Sequence, residues 1–420
     1  MHTVGDEYHG LLARHDAMRL RRSLLSPGQP ERPAAAPAPE PYDGRADQRV
    51  ILRGLDLVSP FDDLIAELYA ELFARHPYLR SLFPESMEFQ RRHLAHIFRY
   101  LVENLHDPDH VTATFTRLGR DHRKLGVRPA HYEAFEAALR EALRRTAGSR
   151  WTSVMEEAWL RMLRFAVGAM VEGAEAALGE PPAWRATVVA HERRRRDLAV
   201  LRVRTGEPYP YRAGQYAAVQ SPLLPQAWRY YSFACAPRPD GELEFHVRLA
   251  GPGGVSEALV ERTRVGDTLR LGPASGTMTL DEDLPRDLLL VAGSTGWAPL
   301  KALLEEASAR RTGPRSVHLF LGGRRFADLY DVETATGLAL RRPWLRVAPL
   351  VADEPEPRAW ESLAGAVLRH GDWSGHTAYL GGPPALVATA AARLTAAGIP
   401  AGHVRHDPLP ATPGLALAGL

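Results

Sequence analysis

Apolar residues recur at three- and four-residue intervals through the first half of the chain. FDDLIAELYAELFARH, RRHLAHIFRYLVENL, HYEAFEAALREALRR and VMEEAWLRMLRFAVGAMVEGAEAAL all carry that period, from about residue 55 to 178. The spacing gives each helix one apolar stripe, and no alternating strand intervenes, so the pattern predicts an all-α domain. ALGEPPAW (177–184) then stops the last helix with prolines. Beyond it the period falls to two. ATVVAHE, LAVLRVR, QYAAVQS, RYYSFACA, LEFHVRLA and DTLRLGPA are short runs divided by Gly/Pro turns, which predicts an antiparallel β-barrel. From about 285 the runs DLLLVAG, SVHLFLGG, LRVAPLV and TAYLGG exchange with helical stretches, APLKALLEEAS and ALVATAAARLTAAG. Apolar runs without alternation, separated by helices, predict a Rossmann-like parallel α/β domain.

The expected divisions are a tail and Pro/Ala-rich linker over 1–49, an all-α domain over 50–180, a barrel over 183–283 and an α/β domain over 284–420. The tail splits into a basic helical piece, YHGLLARHDAMRLRRSLL, and PGQPERPAAAPAPEPYDG, whose composition cannot build a packed core. A formal charge of +2 gives no electrostatic footprint for nucleic acid. The single cysteine, Cys235, excludes an intramolecular disulfide and any cysteine-built zinc or iron–sulfur site. No run is long and apolar enough to span a membrane. The chain reads as a cytoplasmic monomer or small homo-oligomer.

In the barrel, WRYYS sets Arg229 and Tyr231 on one face of a strand, followed by Ser232. A guanidinium suits a phosphate, an aromatic ring suits a stacked heterocycle, and a hydroxyl suits its polar edge. RAGQY adds Tyr216. GPGGVSEAL adds Gly254 and Ser256 at a helix start, where free amides suit a pyrophosphate. In the α/β domain, VAGSTGWAP places Gly293, Thr295 and Gly296 in a strand-to-helix turn, where glycines permit close approach to a dinucleotide. LFLGGRRFADLYD and YLGGPPALV follow in order. These motifs resemble the ferredoxin–NADP reductase superfamily, which implies that Tyr216, Arg229, Tyr231, Ser232, Gly254 and Ser256 hold FAD. It also implies a nicotinamide site at Gly293, Thr295, Gly296, Gly382 and Pro383. Arg324 and Arg325 suit a 2′-phosphate, which tilts the reading from NADH toward NADPH. The family's usual Cys-Gly-Pro reads Gly381-Gly382-Pro383 here, and the tail ends in HDPL.

LGRDHRKLGV places His122 inside a charge run, where a histidine is ordinarily a solvated surface residue. The residues around it resemble the flavohemoglobins, a globin fused to such a reductase. The resemblance implies haem b with His122 as iron ligand, Phe83 and Leu94 packed on the haem, Tyr69 and Gln90 on the distal side, and Tyr132 paired with Glu172 on the proximal side. The remaining histidines of this half (His93, His96, His106, His110, His131) are expected to be exposed. So are the arginines of HERRRRD, while Arg120, Arg123 and Lys124 are expected to face solvent or a propionate. Each aromatic also fits the core of any helical bundle, and only their joint spacing before a reductase favours the globin. LGRDHRKLGV, WRYYS, VAGSTG and HDPL look closest to an atypical actinobacterial (type II) branch of that family.

What the resemblance implies is an enzyme. NAD(P)H reduces FAD, electrons reach a haem that binds O2, and nitric oxide is converted to nitrate. Two alternatives stand beside it: a haem and flavin oxidoreductase with another reductant or substrate, and a gas or redox sensor signalling through the N-terminal helix.

Overall fold

The computed structural model describes residues 42–310, 316–356 and 358–407. The basic N-terminal stretch, nearly all of the linker, and Pro408 and Leu409 of HDPL lie outside the described residues. Six helices come first: α1 (Gly44–Arg53), α2 (Phe61–Arg75), α3 (Glu88–Asn104), α4 (Pro108–His122), α5 (Pro129–Ala147) and α6 (Ser153–Ala176). α1 starts inside the stretch expected to be tail. Asp43 caps it by accepting from the Ala46 amide at 3.0 Å, and buried Asp47 accepts from Arg161 of α6 at 2.7 Å. The helical core is stapled by Phe61, Phe98 and Trp159, whose rings meet edge to face at 5.8–6.1 Å.

The boundaries of α4 are set locally. Asp107 accepts from the His110 amide at 3.2 Å, and Pro108 opens the first turn. At the other end a short 3₁₀ turn, Arg123–Leu125, runs into Gly126 at φ 74°, a left-handed position that stops the chain from continuing as helix. Glycines bring α4 against α6. A Cβ on Gly119 would stand 1.9 Å from the Met170 carbonyl oxygen, and one on Gly173 would stand 2.0 Å from that of Thr116.

The barrel contains β1 (Trp184–Arg195), β2 (Leu198–Thr205), β3 (Tyr216–Gln220), β4 (Trp228–Ser232), β5 (Glu242–Arg248) and β6 (Thr268–Ser275). Their order is β4-β3-β6-β1-β2-β5, all antiparallel, and a bridge between Phe233 and Phe245 draws the two edges together. Alternate residues point inward, among them Ala186 and Val188, Leu201 and Val203, and Phe245 and Val247.

The last sheet is parallel, ordered β11-β10-β7-β8-β9 from β7 (Asp287–Gly293), β8 (Val317–Gly323), β9 (Leu345–Val351), β10 (His376–Gly381) and β11 (Val404–Arg405). Helices α7 (Trp297–Ala309), α8 (Val332–Leu340), α9 (Arg358–Arg369) and α10 (Pro384–Ala396) accompany it. Leu288, Leu290 and Ala292 enter one core, with Trp297 and Leu303 of α7. Leu289 and Val291 enter the other, with Trp360 of α9 and Leu386 of α10. Burial on both faces is why these strands read as unbroken apolar runs. Strand β11 has only two residues, too few for a periodic signal. Among the described residues no helix is long and apolar enough to cross a membrane.

The glycine crossing of α4 and α6 leaves no room for a methyl group. Gly173→Ala is expected to lower stability by about 2–3 kcal/mol through forced separation of the helices, read as a drop in melting temperature.

Candidate functional site

His122 ends α4. Its Nδ1 lies 2.9 Å from the Leu118 carbonyl oxygen, which can only accept, so the proton sits on Nδ1 and Nε2 keeps its lone pair. Burial lowers the imidazole's pKa against the opposing pull of Asp121, which keeps the ring neutral and suited to a metal. The His122 side chain is half-buried.

Helices α2 and α3 carry the other expected haem neighbours. Tyr69 is buried, its hydroxyl held protonated by desolvation, and its ring meets Phe83 edge to face at 5.6 Å. Gln90 has a buried Oε1 with no hydrogen-bond partner. Leu94 is half-buried on the same helix. The position of His93, three residues after Gln90, overturns the expectation that it is exposed. Burial drives its imidazole down to about 4, and the neighbouring His122 imidazole adds to the shift. Its ring stacks on Phe89 at 5.7 Å. His96 is buried too, with an unpartnered Nε2, whereas His106 and His110 are exposed and His131 is half-buried. A neutral imidazole with a free lone pair and an orphaned buried amide oxygen fit a bound haem.

The proximal Tyr–Glu pair does not form. Tyr132 is half-buried, its phenol pushed up to about 12 by desolvation, and Glu172 is exposed without an ion pair or hydrogen bond. Gly173 faces α4, and its neighbour Glu172 is turned about 100° around the helix, to the outside.

Arg123 and Lys124 also depart from the solvated reading. Arg123 is buried and donates to the Glu180 carbonyl at 2.7 Å. The buried Lys124 ammonium donates to both oxygens of Asp121 and lies 5.4 Å and 5.3 Å from the rings of Trp228 and Tyr230 on β4. Tyr230 donates to Asp121 Oδ2 at 3.0 Å, and Arg270 packs 5.1 Å from the Trp228 ring. The turn that carries His122 is therefore bonded directly to the strand that carries WRYYS.

On that strand the Arg229 guanidinium stacks 4.1 Å over Phe89 of α3 and donates to the Trp228 carbonyl at 2.7 Å. Tyr231 packs into the barrel core, Ser232 is half-buried, and Tyr216 on β3 is buried edge-on to Tyr230 at 5.5 Å. Beside Tyr216 lies Asp407 of HDPL, its carboxyl pushed up to about 6 by burial and its Oδ1 unpartnered. Open space faces Gly254. Gly253 donates its amide to the Glu257 carboxylate, so this turn already seats an anion, while Ser256 Oγ accepts from Ala250 at 3.1 Å. Aromatic walls, an orphaned carboxyl and an anion-seating turn fit a flavin dinucleotide.

Between the barrel and the parallel sheet opens a cleft walled by Arg195, Arg248, Ser294, Gly322, Arg324 and Glu356 among others. Arg324 lies 3.9 Å from Glu356. Arg325 is exposed, 3.7 Å from Asp328, and is not part of the wall. Arg195, expected in a solvated turn, crosses to Asp328 at 2.7 Å. The glycine turn is occupied by the protein's own backbone. A Cβ on Gly296 would stand 2.1 Å from Gly381 C, and one on Gly293 would stand 2.6 Å from Leu386 Cδ2. Thr295 is half-buried between them, and Gly382, at φ 148°, and Pro383 pass against Gly293.

Three family descriptions match in succession: Globin over 66–170, Oxidoreductase FAD-binding domain over 185–279, and Oxidoreductase NAD-binding domain over 290–392. A flavohemoprotein of Bordetella pertussis is 29% identical over 307 residues, covering 68% of this chain and 76% of the relative. The chain belongs to the flavohemoglobin family. The ferredoxin–NAD(P)(+) reductase component of the Ralstonia naphthalene 1,2-dioxygenase/salicylate 5-hydroxylase systems is 33% identical over 229 residues, which are 53% of this chain and 68% of that one. A crystal structure of flavohemoglobin from Malassezia yamatoensis with bound FAD and heme shares the fold. Its TM-score is 0.67 at 17% identity, over 84% of this chain and 96% of that one.

Haem, FAD and a nicotinamide dinucleotide are the cofactors of this flavohemoglobin, and O2 is a small-molecule ligand of its globin. Several of its site neighbours escape a sequence reading. His93 could have been found from its three-residue offset from Gln90. Lys124, Tyr230 and Phe89 carry no signal, since their partners are distant in sequence. A buried chain in the reductase is similar. Lys301 Nζ donates to Glu244 Oε1 at 2.8 Å, His246 Nε2 meets the same oxygen at 3.1 Å, and His246 Nδ1 meets the Tyr330 hydroxyl at 2.6 Å.

Two outcomes follow from these contacts in the flavohemoglobin. Burial alone would raise Glu244, but the His246 hydrogen bond and the Lys301 ammonium together hold it near 2, below its ordinary 4.5. A depressed carboxylate stabilises the fold above its unfolded pKa and loses that contribution as pH falls through the folded value. Glu244→Gln is thus expected to cost roughly 2–4 kcal/mol at neutral pH, with the gap to wild type in denaturant melts closing below pH ~4.5. At the missing thiol, a Cβ on Gly381 would stand 2.4 Å from the Gly296 carbonyl oxygen. Gly381→Cys is expected to lower the melting temperature and leave flavin reduction no faster than wild type in stopped flow.

Proposed function

We propose that this flavohemoglobin is a nitric oxide dioxygenase, in which NAD(P)H supplies electrons through FAD to the haem, and nitric oxide and O2 leave as nitrate. The observation that carries the reading is the bonded junction between the turn bearing His122 and strand β4, which joins the iron-binding half to the flavin-binding half. When bound, haem supplies the O2 site, and FAD converts the two-electron chemistry of the nicotinamide into single-electron transfers. His122 offers Nε2 from the proximal side, oriented by the Leu118 carbonyl. Tyr69 keeps its proton and directs an O–H donor into the distal side, where a donor stabilises charge developing on oxygen. Gln90, with its orphaned Oε1, and neutral His93, an electrostatic neighbour of His122, share α3. With Glu172 turned outward, the proximal side lacks an anionic partner, which suits oxygen binding over O–O cleavage. Tyr216, Tyr231 and Ser232 line the flavin strands, and Arg229, stacked on Phe89, would hold a flavin phosphate. Arg324 takes a 2′-phosphate when NADPH binds, and Glu356 opposite it accommodates the 2′-hydroxyl of NADH.

The test is nitrate formation by purified protein given NAD(P)H, O2 and nitric oxide, beside His122→Ala. Wild type is expected to show Soret and flavin bands and to form nitrate only with both NAD(P)H and O2. The variant is expected to lose the Soret band and nitrate formation while keeping flavin reduction. No nitrate from the wild type, or an unchanged Soret band in the variant, removes the reading.

A further inference from the structure

Tyr230 is the residue between Arg229 and Tyr231, and alternation along β4 points it away from the face they share. It faces the globin. Its hydroxyl donates to Asp121 Oδ2 at 3.0 Å, and Asp121 is covalently next to His122. On its other side its ring meets Tyr216 of β3 edge-on at 5.5 Å. The Lys124 ammonium sits 5.3 Å from the same ring and binds the same carboxylate, so ring and carboxylate are locked in one arrangement. One aromatic side chain thus touches a flavin-strand residue on one side and the residue beside the proximal histidine on the other.

We infer that Tyr230 and Asp121 form the bridge through which each electron passes from the flavin to the haem iron. The inference rests on the proposed roles of His122 as iron ligand and of β3 and β4 as flavin strands. Covalent and hydrogen-bonded links couple an electron donor and acceptor better than a gap of the same length. From Tyr216 the contacts run through the Tyr230 ring, its hydroxyl, Asp121 and the backbone to His122. In each transfer the flavin loses one electron and the iron gains one. No covalent bond forms or breaks at Tyr230 or Asp121, and the proton released on flavin oxidation leaves to water. The two side chains are a bridge and are not consumed.

The test separates the hydrogen bond from the packing. Full-length holoprotein is mixed anaerobically with NADH or NADPH in stopped flow, with carbon monoxide present to trap reduced haem, for wild type, Tyr230→Phe and Tyr230→Leu. Tyr230→Phe keeps the ring against Lys124 and Tyr216 and removes the hydroxyl that donates to Asp121. It is expected to slow haem reduction about tenfold, equal to ~1.4 kcal/mol of barrier. Tyr230→Leu is expected to slow it further. Cofactor content, the rate of flavin reduction and the haem midpoint potential are expected to stay at wild-type values in the Phe protein. Wild-type haem reduction in Tyr230→Phe overturns the inference, whatever Tyr230→Leu does. So does a slowing matched by an equal slowing of flavin reduction or by a shifted potential, either of which marks a structural role. A wild-type spectrum without Soret or flavin bands, read before any mixing, removes the underlying reading and this inference with it.

Discussion

A lysine ammonium buried between two halves of opposite construction is the constraint around which this molecule is arranged. Removing Lys124 from water costs roughly several kcal/mol unless its charge is answered nearby. Asp121 answers it by direct ion pairing, and the faces of Trp228 and Tyr230 add cation–π attraction. Asp121 lies on α4 and both rings lie on β4, so the cage exists only when α4 ends where it does and β4 sits where it does. Gly126 ends the helical turn, and Gly272 of β6 leaves space for the lysine stem, since a Cβ there would stand 3.1 Å from Lys124 Cδ. The cage immediately follows His122 in the chain, so it also aims the imidazole.

The reductase half is held by a second buried polar chain of the same logic. Glu244 is flanked by Lys301 and His246, and His246 reaches Tyr330, which lines the nucleotide cleft. Arg195 ties the barrel hairpin to Asp328 across the same boundary. The glycine turn after β7 packs against Gly381 and Gly382 so closely that side chains are excluded from both. Glycine in place of the family's usual cysteine at 381 is therefore a steric requirement of this packing.

Much of the fold was legible because period reports burial. Strand β1 alternates over Trp184–Val188 since one face meets the barrel core, and β7 and β8 are unbroken since both faces are covered. Helix α1 was hidden by its proximity to the prolines of the linker, and β11 by its length. His122, Phe83 and Tyr69 were named from a spacing, since local helix geometry controls how far apart residues on one face fall, and their roles at the haem belong to the proposal. Glu172 and His93 were misread for the same reason. A position on a helix differs from its neighbour by about 100°, and only the packed partner decides which of them looks inward.

From the order of residues alone came the three kinds of architecture and the cofactor classes, because periodicity, glycine turns and residue chemistry are local properties of the chain. Tertiary structure alone decided that a run of charges is partly buried, that Tyr230 meets Asp121, that Glu172 faces out and that Gly381 has no room for a thiol. Those outcomes depend on contacts between residues far apart in sequence, and burial energy is settled only when the surfaces that exclude water come together.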